Sequence, residues 1–163
     1  MNVNHHTTTA IPVDDKYAAI LGKAVYIFAY YEWTIIYIIA FYESGFVAQY
    51  SRPSKSPLTS GAVNQKLKEI INGFDFPESN VTKAEIELCQ QEFESLIAKR
   101  NALIHAHPAT DIDGSQILVY QTKPSKPFSD MVWKESEINE IIKEIDNAGV
   151  KASAILNQIR RRS

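Results

Sequence analysis

Cysteine occurs once in the 163 residues, as Cys89. One thiol allows no intrachain disulfide and no cysteine-based zinc cluster. Cys89 falls in an apolar helical stripe, so the expected role is that of a buried, inert thiol. Glycine is scarce, with six residues, and none forms a glycine-rich phosphate loop or a nucleophile elbow. Charge of either sign is nearly balanced: 17 basic against 19 acidic residues leave a formal charge of −2. No strong basic field advertises nucleic acid, although a small local patch suffices to bind one. No internal repeat is visible. Nothing reads as a secretory signal, because the first apolar run starts late and follows polar residues and acids. The expected location is therefore the cytoplasm.

What is present is ordinary for a globular chain: 45% hydrophobic and 22% charged residues. The length suits one domain with a sizeable core. Residues 1–12 are polar, threonine-rich and aperiodic, and read as a flexible tail that includes His5 and His6. Residues 13–163 read as a single helical domain. Asp14 or Asp15 can cap a helix over residues 16–43, with Gly45 as its stop. Within residues 24–42 the only charge is Glu32. That span is nearly long enough for a membrane helix. A carboxylate at its middle, five tyrosines and the lack of a basic flank argue against a bilayer. A helix apolar on all sides is otherwise central, covered by its own fold and by a partner chain. Tyr26, Tyr30, Trp33 and Tyr37 follow helical spacing and suggest a homodimer face, because interfaces are rich in such aromatics.

Residues 50–61 form a proline- and serine-rich loop whose Arg52 and Lys55 are either solvated or in touch with a phosphate backbone. Residues 64–72 make a short helix with Leu67, Ile70 and Ile71 inward. A helix follows from Val81, capped by Ser79 or Asn80. Its apolar seam runs Ile86, Cys89, Phe93, Leu96, Arg100, Leu103 and His107, spaced alternately by three and four. Asp111 to Gly114 is a turn signal, residues 116–122 read as a strand, and residues 123–130 as a loop. Asp111 and Asp113 are turn acids, since no EF-hand loop follows. Ser136 can cap a closing helix with Ile138, Ile141, Ile142, Ile145, Ala148, Ala152, Ile155 and Ile159 inward, and with Gly149 as a bend. Arg160, Arg161 and Arg162 end the chain as a solvated tail or a weak RNA contact. The expected fold is all-α: a bundle of about four helices with a small β-hairpin, over residues 112–122, before the last.

One stretch breaks its own pattern. Arg100 lies in the apolar seam of its helix, where a guanidinium is costly unless paired or partly wet. Such a conflict marks a candidate functional site. Asn101 and His105, four apart, share a helix face, with Arg100 about 100° round from Asn101. Pro108 biases His107 away from the α region, so the helix is expected to end there, with His105 in the last turn. One helix end thus offers a fixed cation, an amide and a side chain that titrates near neutrality. Glu32 is the other charge in an apolar setting: a contact with Arg100 would satisfy both, and otherwise Glu32 faces solvent or bonds a tyrosine hydroxyl.

Arg100-Asn101-Ala102-Leu103-Ile104-His105 resembles the R-N-x-x-x-H signature of the HEPN superfamily, helical domains of RNA-cleaving toxins and antiviral systems. A long first helix with an internal acid, a motif at a later helix end and a closing amphipathic helix are similar to its architecture, over residues 14–161. The resemblance implies a metal-independent endoribonuclease without cofactor, cutting RNA through attack by the 2′-hydroxyl. It implies Arg100, Asn101 and His105 as the catalytic set, with Glu32 in support and no metal ligand. It also implies a homodimer whose two motifs meet at a cleft, and an antitoxin or regulatory protein as a further partner. His107 lies outside the motif. Two other readings compete. One is a structural helix cap, with Arg100 paired to Glu32. The other is a catalytically silent module that binds RNA, nucleotide or a partner protein.

Overall fold

The long apolar run of the first helix becomes the centre of a helical bundle. The computed structural model describes residues 10, 12–52, 58–74, 76, 81–121 and 131–161. Helix α1 (Asp15–Tyr42) starts at Asp14, whose carboxylate accepts the Tyr17 amide at 2.7 Å. By length and composition α1 could cross a bilayer, yet half of its most apolar window is buried inside the bundle. Phe28, Tyr31, Ile35, Ile36, Ile38 and Ile39 supply that buried side. A short α2 (Phe46–Ser51) follows Gly45, whose φ of +87° makes the tight turn that only glycine adopts freely. Then come α3 (Ser60–Gly73), α4 (Lys83–Ile104), strands β1 (His107–Thr110), β2 (Gln116–Tyr120) and β3 (Met131–Trp133), and α5 (Glu135–Arg160).

Side-chain pairs fix the helix directions. Lys16 meets Glu135 at 2.7 Å where α1 and α5 begin, and Arg160 lies over Tyr37 towards their ends, so the two run parallel. Helix α4 runs against both. Its Phe93 stacks on Phe28 with centroids 6.2 Å apart and meets Tyr31 edge-on at 5.5 Å. Ion pairs Lys99–Glu144 and Lys151–Glu92 tie α4 to α5. The amide of Gln90 donates to Asn64 at 2.9 Å, a satisfied buried polar pair between α3 and α4.

Helix α4 begins with a capping box: Thr82 Oγ1 accepts the Glu85 amide at 3.2 Å, and Glu85 Oε2 accepts the Thr82 amide at 2.7 Å. The Thr82 amide and hydroxyl hold the Glu85 carboxyl below the ordinary carboxylate range. Its contribution is therefore complete above the unfolded-state value of about 4.3 and is lost as pH falls through the lower folded value. Thr82→Ala is expected to cost about 1 kcal/mol, read as a lower urea midpoint at unchanged slope.

The three strands form an antiparallel sheet in the order β1-β2-β3, with His107 opposite Val119 and Leu118 opposite Trp133. Tyr17 Oη donates to the Trp133 carbonyl at 2.6 Å, seating α1 on β3. The Gln116 amide clasps the chain ahead of α1, donating to the Pro12 carbonyl at 3.0 Å and accepting the Asp14 amide at 2.7 Å.

Several expectations are corrected. Helix α4 stops at Ile104, and His107 lies in a strand. The residue before a proline is pushed towards extended backbone, and Pro108, having no N–H, is tolerated on the edge strand β1. The hairpin therefore pairs residues 107–110 with 116–120 instead of lying within 112–122, and a third strand joins it. Ser136 does not cap α5. Lys134 is the N-cap, with no side-chain capping bond to α5, and Ser136 donates to Glu137 at 2.6 Å. Gly149 interrupts nothing: α5 is one continuous helix, and the glycine lies against Tyr31. Pro12, placed in the tail, is held by Gln116. His5, His6, Lys55, Ser79, Asn80, Thr122, Arg162 and residues 123–130 lie outside the described residues.

Candidate active site at the end of helix α4

The apolar seam of α4 seats its last two turns against α1. Ile86, Cys89, Phe93, Leu96 and Leu103 are buried as the spacing requires, and burial pushes the Cys89 thiol up to about 12. Arg100 takes its place in that seam half-buried. Its guanidinium carbon lies 5.0 Å from the centroid of the Phe28 ring, a cation–π contact, and Nη1 donates to Asn101 Oδ1 at 2.9 Å. Asn101 also holds the other end of the motif, because its carbonyl accepts the His105 amide at 3.0 Å. His105 is the C-cap residue, with φ −94° and ψ 5°. Its side chain is exposed and has no protein partner among the described residues. Asn101 Nδ2 likewise keeps both of its donors for solvent or ligand among those residues. His107, two residues on, is exposed on the edge strand β1.

Glu32 is buried at 6% exposure, but not against Arg100. No ion pair within 4 Å joins them among the described residues. The hydroxyl of Tyr50 donates to Glu32 Oε2 at 3.2 Å, and Oε1 has no partner among the described residues. The physical reason is local: Phe28 and Asn101 already hold the guanidinium, while α2 folds back and brings Tyr50 to the carboxylate. The three groups still share one neighbourhood. Burial and the Glu32 charge push the Tyr50 hydroxyl up to about 12, with Arg100 pulling the other way. The Tyr50 ring meets Trp33 edge-on at 5.2 Å. Tyr50→Phe removes the hydrogen bond to Glu32 and is expected to cost about 1–3 kcal/mol in chemical denaturation. A neutral result would show that solvent serves the carboxylate.

Phe28 and Tyr50 are site neighbours that sequence reasoning missed. Phe28 is one apolar residue in a run of them, and Tyr50 falls where a loop was expected. Arg52 ends α2 as its C-cap residue, exposed. The turn acids serve the hairpin: Asp111 pairs with Lys134 at 2.6 Å and Asp113 accepts the Ser115 hydroxyl at 2.6 Å. Among the described residues no three of His, Cys, Asp and Glu gather as metal ligands. The best-formed clefts on the described surface, of about 240 to 720 Å³, are lined by residues other than Arg100, Asn101 and His105. Arg100 and Asn101 are half-buried and His105 is exposed.

No protein-family model matches the chain, and neither a curated protein nor a solved structure is found to be similar to it.

Proposed function

We propose that the chain is a metal-independent endoribonuclease of the HEPN type, cytoplasmic, homodimeric and related to toxin or antiviral-defence systems. An antitoxin or other regulatory protein is the expected further partner. The observation that carries the reading is Arg100-Asn101-Ala102-Leu103-Ile104-His105 at a helix end, with Arg100 bonded to Asn101 and His105 exposed at the cap. Arg100 carries a fixed charge, and its N–H groups other than the one given to Asn101 have no partner among the described residues and can fork onto phosphate oxygens. Asn101 Nδ2 offers a neutral donor to the same phosphate. His105 supplies the imidazole that can act as base or acid.

The reaction is a transesterification. The ribose 2′-oxygen loses its proton to a base and attacks the adjacent phosphorus. The bond to the 5′-oxygen breaks, and that oxygen takes a proton from an acid. The ends left are a 2′,3′-cyclic phosphate and a 5′-hydroxyl. Two copies supply two histidines, hence one base and one acid. Arg100 stabilises the charge that builds on the phosphorane. Glu32 supports indirectly, through the Tyr50 hydroxyl that it holds beside the site.

A second reading, a catalytically silent module that binds RNA, nucleotide or a partner protein, is favoured by one observation. Arg100 already commits Nη1 to Asn101 and one face to Phe28. Parallel titration and cleavage assays separate the two. The endoribonuclease predicts RNA cleavage that Arg100→Ala and His105→Ala both suppress. The silent module predicts RNA affinity that Arg100→Ala weakens, with intact RNA throughout.

A further inference from the structure

Outside the motif, a run of aromatic rings on α1 and α2 has an arginine at each end. Arg160, exposed near the end of α5, lies over the Tyr37 ring at 5.6 Å. Tyr37 meets Trp33 at 5.8 Å, and Trp33 meets Tyr50 edge-on at 5.2 Å. Arg52, also exposed, follows Tyr50 by two residues, and Tyr50 reaches Glu32 beside the candidate site. Neither arginine has an ion-pair partner among the described residues. Further back along α1, Tyr30 is 67% exposed and Tyr26 73%. A cleft of about 400 Å³ lies between these two rings and α5, with Asn157 at the arginine end and Asp146 at the other. Glu32 is buried, so positive charge flanks the rings from Tyr30 to Tyr50.

At about 100° per residue, Tyr26, Tyr30 and Tyr37 fall within about 40° of one another, and at 1.5 Å per residue they span about 17 Å. That is the length of about five stacked nucleotides at 3.4 Å each. A single strand offers a flat base and a phosphate charge at every step, and rings beside arginines complement both. A duplex keeps its bases paired and stacked, so it has none to lay on the rings. We propose that this arginine-flanked run is a binding site for single-stranded RNA. Unpaired bases stack on Tyr30, Tyr37 and Trp33, phosphates meet Arg160 and Arg52, and the strand is led towards Arg100. The choice of RNA rests on the reading of the motif given above, whereas binding at the rings does not require the motif to cleave.

Fluorescence titration of the full chain with a short oligouridylate tests it, in His105→Ala so that the strand stays intact, beside the same strand paired with oligoadenylate. The single strand is expected to quench tryptophan emission and to bind more tightly than the duplex. Adding Tyr37→Ala is expected to weaken binding roughly 5–150-fold, with unchanged circular dichroism and sedimentation, whereas Tyr37→Phe keeps the affinity. Arg160→Ala is expected to flatten the slope of log affinity against log salt by roughly 0.7, one phosphate contact. Lys143→Ala, which removes an exposed cation already paired with Glu140, is expected to leave that slope unchanged. A chain that binds no oligouridylate overturns the proposal, as does Tyr37→Ala binding at the parental affinity. A Tyr37→Ala chain altered in oligomeric state assigns the rings to a second copy and overturns it too. With His105 in place, a chain that binds through Tyr37 but leaves RNA intact fails the endoribonuclease reading and leaves the site standing. Undiminished cleavage of subsaturating RNA by Tyr37→Ala does the reverse.

Discussion

Replacing His105 by alanine is expected to slow RNA cleavage by about 10²–10⁴, the range for loss of a proton-transfer group. The same substitution is expected to leave stability within about 0.5 kcal/mol, because the imidazole is exposed and bonded to nothing among the described residues. The helix cap survives, since the bond to Asn101 comes from the His105 backbone amide. These two outcomes together separate an active site from a structural cap, which would lose stability. They are measured with a fluorescent RNA substrate and urea denaturation of the same preparations. Cleavage at the parent rate, in a variant equally stable and equally dimeric, would remove His105 from the chemistry.

Phe93→Ala is expected to cost about 3–5 kcal/mol. Phe93 is fully buried, and its ring is held by Phe28 on one side and Tyr31 on another. Truncation loses the transfer energy of the ring and leaves a cavity where α1 and α4 meet. Against a total stability of about 5–15 kcal/mol, that is a large share. It also loosens Phe28, on which Arg100 rests, so cleavage is expected to fall under conditions where the variant is still folded. Phe93→Leu, which keeps more of the volume, should recover much of both. A loss from Phe93→Ala below about 1 kcal/mol would mean that the α1–α4 contact closes over the gap without consequence.

The helical framework was legible because its signals are local and periodic. The apolar spacing of α4 and α5 named their buried faces, and Asp14 announced the start of α1. The bundle with a β insert before the last helix followed from the same pattern. What was not legible depended on contacts between distant segments. Thr82 and Glu85 carried a capping-box spacing that was open to reading, whereas α2 is too short for periodicity and β3 has three residues. His107 satisfied the helical stripe on paper, but Pro108 and the pairing with Val119 drew it into a strand. At the candidate site the misplaced arginine was visible in the pattern. Its neighbours were not: Phe28 and Tyr50 reach it only through the packing of α1 and α2, and they displaced the simpler expectation of a Glu32–Arg100 pair.

The most direct measurement is incubation of the purified chain with RNA in excess EDTA, beside His105→Ala, with the product ends identified. Fragments ending in 2′,3′-cyclic phosphate and 5′-hydroxyl, formed by the parent and not by His105→Ala, are expected. RNA left intact by the parent, or fragments bearing 3′-hydroxyl and 5′-phosphate ends, would contradict the reading.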